Sequence, residues 1–336
     1  MLSLNLINQI AEKGDKVGKN IGIGIGDYPE SNIHIFKAAQ QMGKDYERLK
    51  FHLIGKRTNI MNLFSHLKKK KIISLEILEK FKGIEDSGSK EIEEITNENS
   101  IKLEITSLIT FYITKSPEKF LLGNLSHDRS KNQLNIPNLD AIIRGSLSSS
   151  KFLKELRKAE NEEKKTYRLA LLETFDGHQF FYAPVGIDEA NSMESKERFI
   201  EGTIELYKKT GLKAKIALLS GGRAGDIGRD ESVDNLIRQT DSLAKKMQNK
   251  YPNQEINHEY ILIETAIHKG SNTIIAPEGV SGNLIYRTLV HLGGGRAYGA
   301  LYLDHFLREG RIILDTSRVA EKSEYIGAIK LAYYLN

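Results

Sequence analysis

The feature that most constrains this chain is a repeated unit. A short apolar run rich in Ile, Leu and Ala ends at glycine or another turn residue, and an amphipathic helical stretch follows. Ile21–Ile25 (IGIGI) closes at Gly26-Asp27. Next come Ile33, Phe36, Ala39 and Met42 at helical spacing, and then a second short run, Phe51–Ile54, closed by Gly55. Lys215–Leu219 runs into a Gly-rich turn before a long helical pattern over Glu231–Asn249. Asn272–Ala276 runs into a second Gly-rich turn before Leu284–Leu292. Strands alternating with helices at this spacing predict parallel sheets with crossover helices, an α/β fold.

The remaining pattern is consistent with that class. Leu139–Arg144 reads as a buried strand closed by Gly145-Ser146. Arg168–Thr174, Gln179–Ala183 and Arg311–Leu314 read as further strands. Ser195–Thr210 and Glu321–Tyr334 read as helices, and Leu2, Leu6, Ile7 and Ile10 predict an amphipathic first helix. Residues 83–101 are polar and acidic, the composition of an excursion or surface loop. Residues 148–166 are dense in charge, which predicts a solvated helix and a domain boundary. A length of 336 residues gives two domains. No internal repeat is visible.

Composition removes several function classes. The chain contains no cysteine, so thiolate nucleophiles, disulfides and cysteine-ligated metals are excluded. Its nine histidines show no HxH or HExxH spacing, and no metal site is expected. The formal charge of +5 reads as solubility, and the Lys68–Lys71 run lacks the aromatic interleaving of a nucleic-acid surface. No apolar run approaches the roughly 18 residues of a membrane helix. The N-terminus lacks a signal-peptide pattern. The expectation is a cytoplasmic protein that binds neither nucleic acid nor membrane.

Four stretches are candidates for chemistry. Ser220-Gly221-Gly222-Arg223-Ala224-Gly225-Asp226 follows one strand, and Pro277-Glu278-Gly279-Val280-Ser281-Gly282-Asn283 follows another. Ligands of open α/β sheets bind at the carboxyl ends of strands, where small residues let backbone amides approach an anion. Arg223 would add a fork of donors. A plain turn remains the alternative for the first stretch, and a helix cap by Ser281 or Asn283 for the second. The third stretch is Asp315-Thr316-Ser317-Arg318, at the end of the last strand. Arg318 would be a bidentate donor, Ser317 a hydroxyl and Asp315 an orienting carboxylate, with Glu324 on the following helix. A helix cap by Asp315, Thr316 or Ser317 is the competing reading. The fourth stretch, Gly22 to Asp27, alternates its glycines within a strand. It has Lys56 and Arg57 where a ribose-binding acid would stand, so close strand packing explains it better than a dinucleotide motif. Gly293-Gly294-Gly295 reads as a helix C-cap, and the adjacent Ser126-His127-Asp128 is no indication of a triad.

The 217–237 and 273–295 segments together with Leu314-Asp315-Thr316-Ser317-Arg318 resemble the phosphate acetyl/butyryltransferase superfamily. More closely, the chain resembles the MtxX family of methanogenesis marker proteins, which is assigned to a methyltransferase as its subunit X. The resemblance implies two α/β/α domains with mainly parallel sheets, as in phosphotransacetylases and isocitrate/isopropylmalate dehydrogenases, and an active site in a cleft between domains. It implies a first domain of residues 1–144 plus 303–336 and an inserted second domain of 145–302. Ser317-Arg318 matches the substrate-contacting pair of that superfamily, and Glu324, seven residues past the serine, matches its proposed general base. Gly145-Ser146 matches the junction turn, and Gly282-Asn283 matches a Gly-Asn of the second-domain loop. The chain departs from the pattern at Val319, Ser148 and Glu155, which stand where transacetylases carry Gly, His and a phosphate-holding Arg. Arg144 or Arg157 is the conjectured substitute for that Arg.

The first expectation is therefore a methyltransferase-related transferase. Its catalytic residues would be Glu324, Ser317 and Arg318. Gly145, Ser146, Gly221, Gly222, Arg223, Gly279, Ser281, Gly282, Asn283 and Asp315 would bind a CoA-like or other phosphorylated cofactor or an anionic substrate. A homodimer and contact with other methyltransferase subunits are expected. The alternatives are a phosphate acyltransferase acting on acyl-CoA and a non-catalytic CoA- or nucleotide-binding regulatory subunit.

Overall fold

The computed structural model describes residues 4–13, 18–73, 101–123, 138–159 and 166–335. The Ser126-His127-Asp128 run and, apart from residue 101, the surface excursion expected over 83–101 lie outside them. The described residues fall into two compact units. The first unit draws on Lys16–Lys164 and Ile313–Tyr333, and the second on Met1–Asp15, Lys165–Ile312 and Tyr334–Asn336. The changes of unit thus fall near 164 and 312, where the resemblance implied 144 and 302. The N-terminal helix α1 (Leu6–Lys13) belongs with the second unit.

In the first unit the strands lie in the order β3 (Ile101–Glu104), β4 (Ile109–Ile113), β2 (Leu49–Gly55), β1 (Lys19–Ile25), β5 (Ala141–Ile143), β12 (Ile312–Asp315). β1 runs parallel to β2 and β5, β2 is parallel to β4, and β3 is antiparallel to β4. The helices are α2 (Pro29–Asp45), α3 (Arg57–Lys69), α4 (Pro117–Leu122), α5 (Ser149–Ala159) and α11 (Lys322–Tyr334). The expected stripe of α2, Ile33, Phe36, Ala39 and Met42, is buried.

β1 shows why its glycines alternate. Ile21, Ile23 and Ile25 fill the core on one face. On the other, a Cβ at Gly22 would meet Leu139 and Leu121, and one at Gly24 would lie 2.4 Å from the Arg144 carbonyl oxygen. A Cβ at Gly26 would lie 2.1 Å from the Ser146 carbonyl oxygen. The strand is glycine-rich because the turn after β5 presses backbone against backbone.

In the second unit the order is β11 (Arg296–Tyr302), β6 (Arg168–Glu173), β7 (Gln179–Ala183), β10 (Thr273–Ile275), β8 (Lys215–Leu218), β9 (Glu255–His258). β7, β10, β8 and β9 are parallel, and β6 is antiparallel to both β7 and β11. The helices besides α1 are α6 (Met193–Lys209), α7 (Glu231–Lys250), α8 (Ile263–His268), α9 (Gly279–Arg287) and α10 (Leu303–Glu309). Phe180, Tyr182, Leu172, Ile274 and Leu219 form the core under α8 and α9. α9 begins at Gly279, five residues before the predicted helix start. Residues 279–283 are therefore the first turns of a helix and not a loop. Among the described residues no helix is long and apolar enough to cross a membrane.

Candidate functional site

The first unit carries Gly145, Ser146, Asp315, Ser317, Arg318 and Glu324 at or beside its strand ends. Gly145 has φ +64°, the left-handed turn that glycine favours. Ser146, fully buried, accepts the Gly26 amide at 2.7 Å and donates to Asn32 Oδ1 at 2.5 Å. Asn32 in turn donates to the Gly26 carbonyl at 2.9 Å. The Gly145 carbonyl accepts the Thr316 hydroxyl at 3.2 Å. Both faces of the Ser146 hydroxyl are engaged inside the protein, so Gly145-Ser146 supports the strand ends from beneath.

Arg144, conjectured above as a phosphate-holding substitute, is buried. Its guanidinium donates to Asp315 Oδ1, the Leu147 carbonyl and the Thr316 carbonyl. Three of its N–H groups are taken within the protein, and it acts as a clamp that fixes the 315–317 backbone. Asp315 orients Arg144 rather than Ser317 or Arg318. The other conjectured substitute, Arg157, is exposed on α5.

Ser317 and Arg318 project beyond that clamp. α11 starts at Lys322, so Asp315, Thr316 and Ser317 do not cap it. The Arg318 guanidinium carbon lies 4.7 Å from the centroid of the Tyr28 ring, a cation–π stack with the residue that precedes α2. Its Nε is buried with no hydrogen-bond partner among the described residues. Buried donors are ordinarily satisfied, and exceptions gather where a ligand completes them. Glu324, from the first turn of α11, accepts the Ser317 amide at 2.7 Å. Burial pushes the Glu324 carboxyl up to about 7, with Asp315 adding to the rise and the Ser317 amide and Arg144 opposing it. A carboxyl that exchanges its proton near neutrality is suited to acid–base work, and it also reports on the segment that carries Ser317.

The 279–283 stretch of the second unit finds partners within the protein. The α9 N-terminus is capped by Glu278, whose carboxylate accepts the Val280 and Ser281 amides at 2.6 and 2.8 Å. Burial alone would raise the Glu278 carboxyl, but those donors and the Lys196 charge together hold it below its ordinary value. The Ser281 hydroxyl donates back to the Glu278 carbonyl at 3.1 Å. A Cβ at Gly279 would lie 2.4 Å from the Gly186 carbonyl oxygen, and one at Gly282 2.3 Å from that of Pro184. Asn283 donates to the Val185 carbonyl at 2.7 Å. The small residues here allow α9 to seat against the 184–187 backbone, and the protein's own carboxylate takes the helix-terminal amides.

After β8 the Arg223 amide is likewise taken, by Asp226 Oδ2 at 2.9 Å, and the Arg223 side chain is exposed. The Gly221 and Gly222 amides meet no acceptor among the described residues. Two further residues had no motif to mark them. His258, at the end of β9, lies 2.9 Å through Nε2 from the Ser220 hydroxyl and stacks on Tyr260. Lys196, in the first turn of α6, is 3% exposed. Each belongs to a strand end or helix start remote in sequence from the glycines, which is why pattern reading passed over them.

The α/β fold is shared with the phosphotransacylases. A branched-chain phosphotransacylase from Enterococcus faecalis aligns over 94% of this chain and 99% of its own, with a TM-score of 0.59 and 16% identity. No family model matches the sequence. The proteins described as "Putative methyltransferase mtx subunit X" in Methanosarcina barkeri and Methanosarcina mazei are each 42% identical to it. The alignments cover 198 and 223 residues, 59% and 66% of this chain and 69% and 73% of theirs. The chain belongs to the mtx subunit X family.

Proposed function

We propose that the chain is an anion-binding subunit of a methyl-transfer system, in which Ser317 and Arg318 hold a phosphorylated or carboxylated cofactor or substrate and Glu324 manages a proton beside it. The observation that carries this reading is the Arg318 side chain, stacked on Tyr28 with its Nε buried and unbonded. Arg144 and Glu324 hold the backbone of that segment from below through Thr316 and Ser317, so the guanidinium is presented on a rigid support. The methyl-transfer assignment and the contact with other subunits rest on the relatives' description.

The acyl-transfer alternative needs a phosphate-holding arginine on α5. Glu155 occupies that position, paired with Lys158 at 2.6 Å. The first test is binding. Inorganic phosphate, CoA, acetyl-CoA, S-adenosylmethionine, a cobalamin and a reduced pterin are screened by thermal shift and then by calorimetry. At least one anionic probe raises the melting temperature, and Arg318→Ala weakens it about tenfold or more, the loss expected for a charge-assisted bond. An affinity unchanged in a folded Arg318→Ala protein refutes the reading.

A further inference from the structure

The segment that carries Ser317 and Arg318 is held on its strand side by Arg144 and Glu324, at the Thr316 carbonyl and the Ser317 amide. Past Ser317 those anchors stop. The Val319 amide turns back to the Ser317 hydroxyl at 3.4 Å, and the Ala320 amide to the Ser317 carbonyl at 3.2 Å. These bonds curl residues 317–320 on themselves and tie them to no other element. Val319, at the tip, is 60% exposed. A surface turn of that kind opens locally at little cost, yet Arg318 must keep one direction to serve as a donor.

Helix α2 supplies the missing restraint. The Tyr28 ring, just before its first residue, lies 4.7 Å from the Arg318 guanidinium carbon. Six residues on, His34 Nδ1 lies 3.1 Å from the Ala320 carbonyl oxygen. A carbonyl oxygen only accepts, so Nδ1 carries the proton and His34 donates. Among the described residues this is the one hydrogen bond that joins residues 318–320 to another element. Glu321 Oε2 stands 3.8 Å from the same nitrogen, but the Glu321 side chain is 81% exposed and so open a pair adds little. α2 is itself fixed: Asn32, two residues before His34, donates to the Gly26 carbonyl and accepts the buried Ser146 hydroxyl. One helix therefore grips the turn on both sides of Val319 and is bonded to the turns after β1 and β5.

We propose that His34 is a positioning residue for Arg318. Its bond to Ala320 holds the 317–320 turn closed, so that the guanidinium stays on Tyr28 with its unbonded Nε edge turned to an anion. The use made of the tether rests on the reading of Arg318 given above, whereas the tether itself does not.

Two measurements on the full chain separate these. His34→Leu removes the donor. His34→Asn restores one, because the asparagine amide nitrogen stands where Nδ1 stands. The His34 side chain is 26% exposed, so either change leaves the core intact. Native digestion with trypsin is followed by mass spectrometry at the Arg318–Val319 bond. Cleavage there quickens about fivefold in His34→Leu, the ratio expected for one hydrogen bond lost from the closed turn, and returns to the wild-type rate in His34→Asn. Inorganic phosphate and acetate are then titrated calorimetrically. One of the two binds the wild type, binds His34→Leu about fivefold more weakly and regains its affinity in His34→Asn. An unchanged cleavage rate in His34→Leu overturns the proposal, as does fast cleavage that persists in His34→Asn. So does an affinity that survives His34→Leu while Arg318→Ala abolishes it. Wild type that binds neither anion, with the cleavage rates moving as expected, refutes the Arg318 reading and the use assigned to the tether.

Discussion

Replacing Glu324 by glutamine changes how stability depends on pH. In the folded protein the Glu324 carboxyl is raised from 4.5 to about 7, chiefly by burial. Unfolded, it returns to its ordinary value. Below pH 4.5 both states hold the proton and the residue imposes no penalty. Between 4.5 and 7 the unfolded chain releases the proton while the folded one keeps it, so stability falls as pH rises. At about 1.4 kcal/mol per pH unit, that interval amounts to about 3 kcal/mol, fully expressed above pH 7. The glutamine side chain cannot ionise, and its carbonyl can still accept the Ser317 amide. Urea unfolding of wild type and Glu324→Gln at pH 5, 6, 7 and 8 isolates this group, because every other titration, including the lowered His52, His258 and His305, is common to both. The variant gains on the wild type with rising pH, by less than about 1 kcal/mol at pH 5 and by about 3 kcal/mol at pH 8. A gap that stays constant across the series refutes the assignment of a buried, proton-holding Glu324.

Arg144→Met should destabilise the protein by about 3–5 kcal/mol, because buried Asp315 loses its Arg144 ion pair. A second change, Asp315→Leu, should recover part of that loss in the same urea measurement. Gly26→Ala should cost about 1–3 kcal/mol, since its Cβ would press on the Ser146 carbonyl and only backbone movement relieves it. Gly225→Ala, with open space around it, should stay within about 0.5 kcal/mol in thermal melts.

The α/β class was legible because the buried runs and the helical stripes carry their own periods. Ile33, Phe36, Ala39 and Met42 fall on one face of α2 through local spacing alone. The Ser317–Arg318 segment stood out because it follows a strand and couples a hydroxyl to a guanidinium. The 279–283 glycines have a packing role that the sequence does not reveal. Glycine marks close backbone approach, but the sequence does not say whether the approaching group is a ligand or another loop. At Gly279 and Gly282 it is the 184–187 backbone, and the carboxylate on the α9 amides is Glu278. The Arg144–Asp315 clamp joins residues 171 apart, and Lys196 lies in a charged helix of ordinary composition. Tertiary contact alone gives these residues their meaning. Strands β3, β4, β9 and β11 also went unread, the first three being only four or five residues long.

Each compact unit takes chain from both ends of the sequence, as Leu4 shows when its carbonyl accepts the Gln179 amide at 2.7 Å. During synthesis the sheet around β1 must wait without its terminal strand until residues 313–333 emerge, long after β1, β2 and β5 are made. Neither half can be excised as one uninterrupted fragment. A ribosome-bound chain arrested before residue 313 should accordingly expose the apolar edge of β5 and the underside of the Arg144 turn, and those surfaces are where a chaperone would find it.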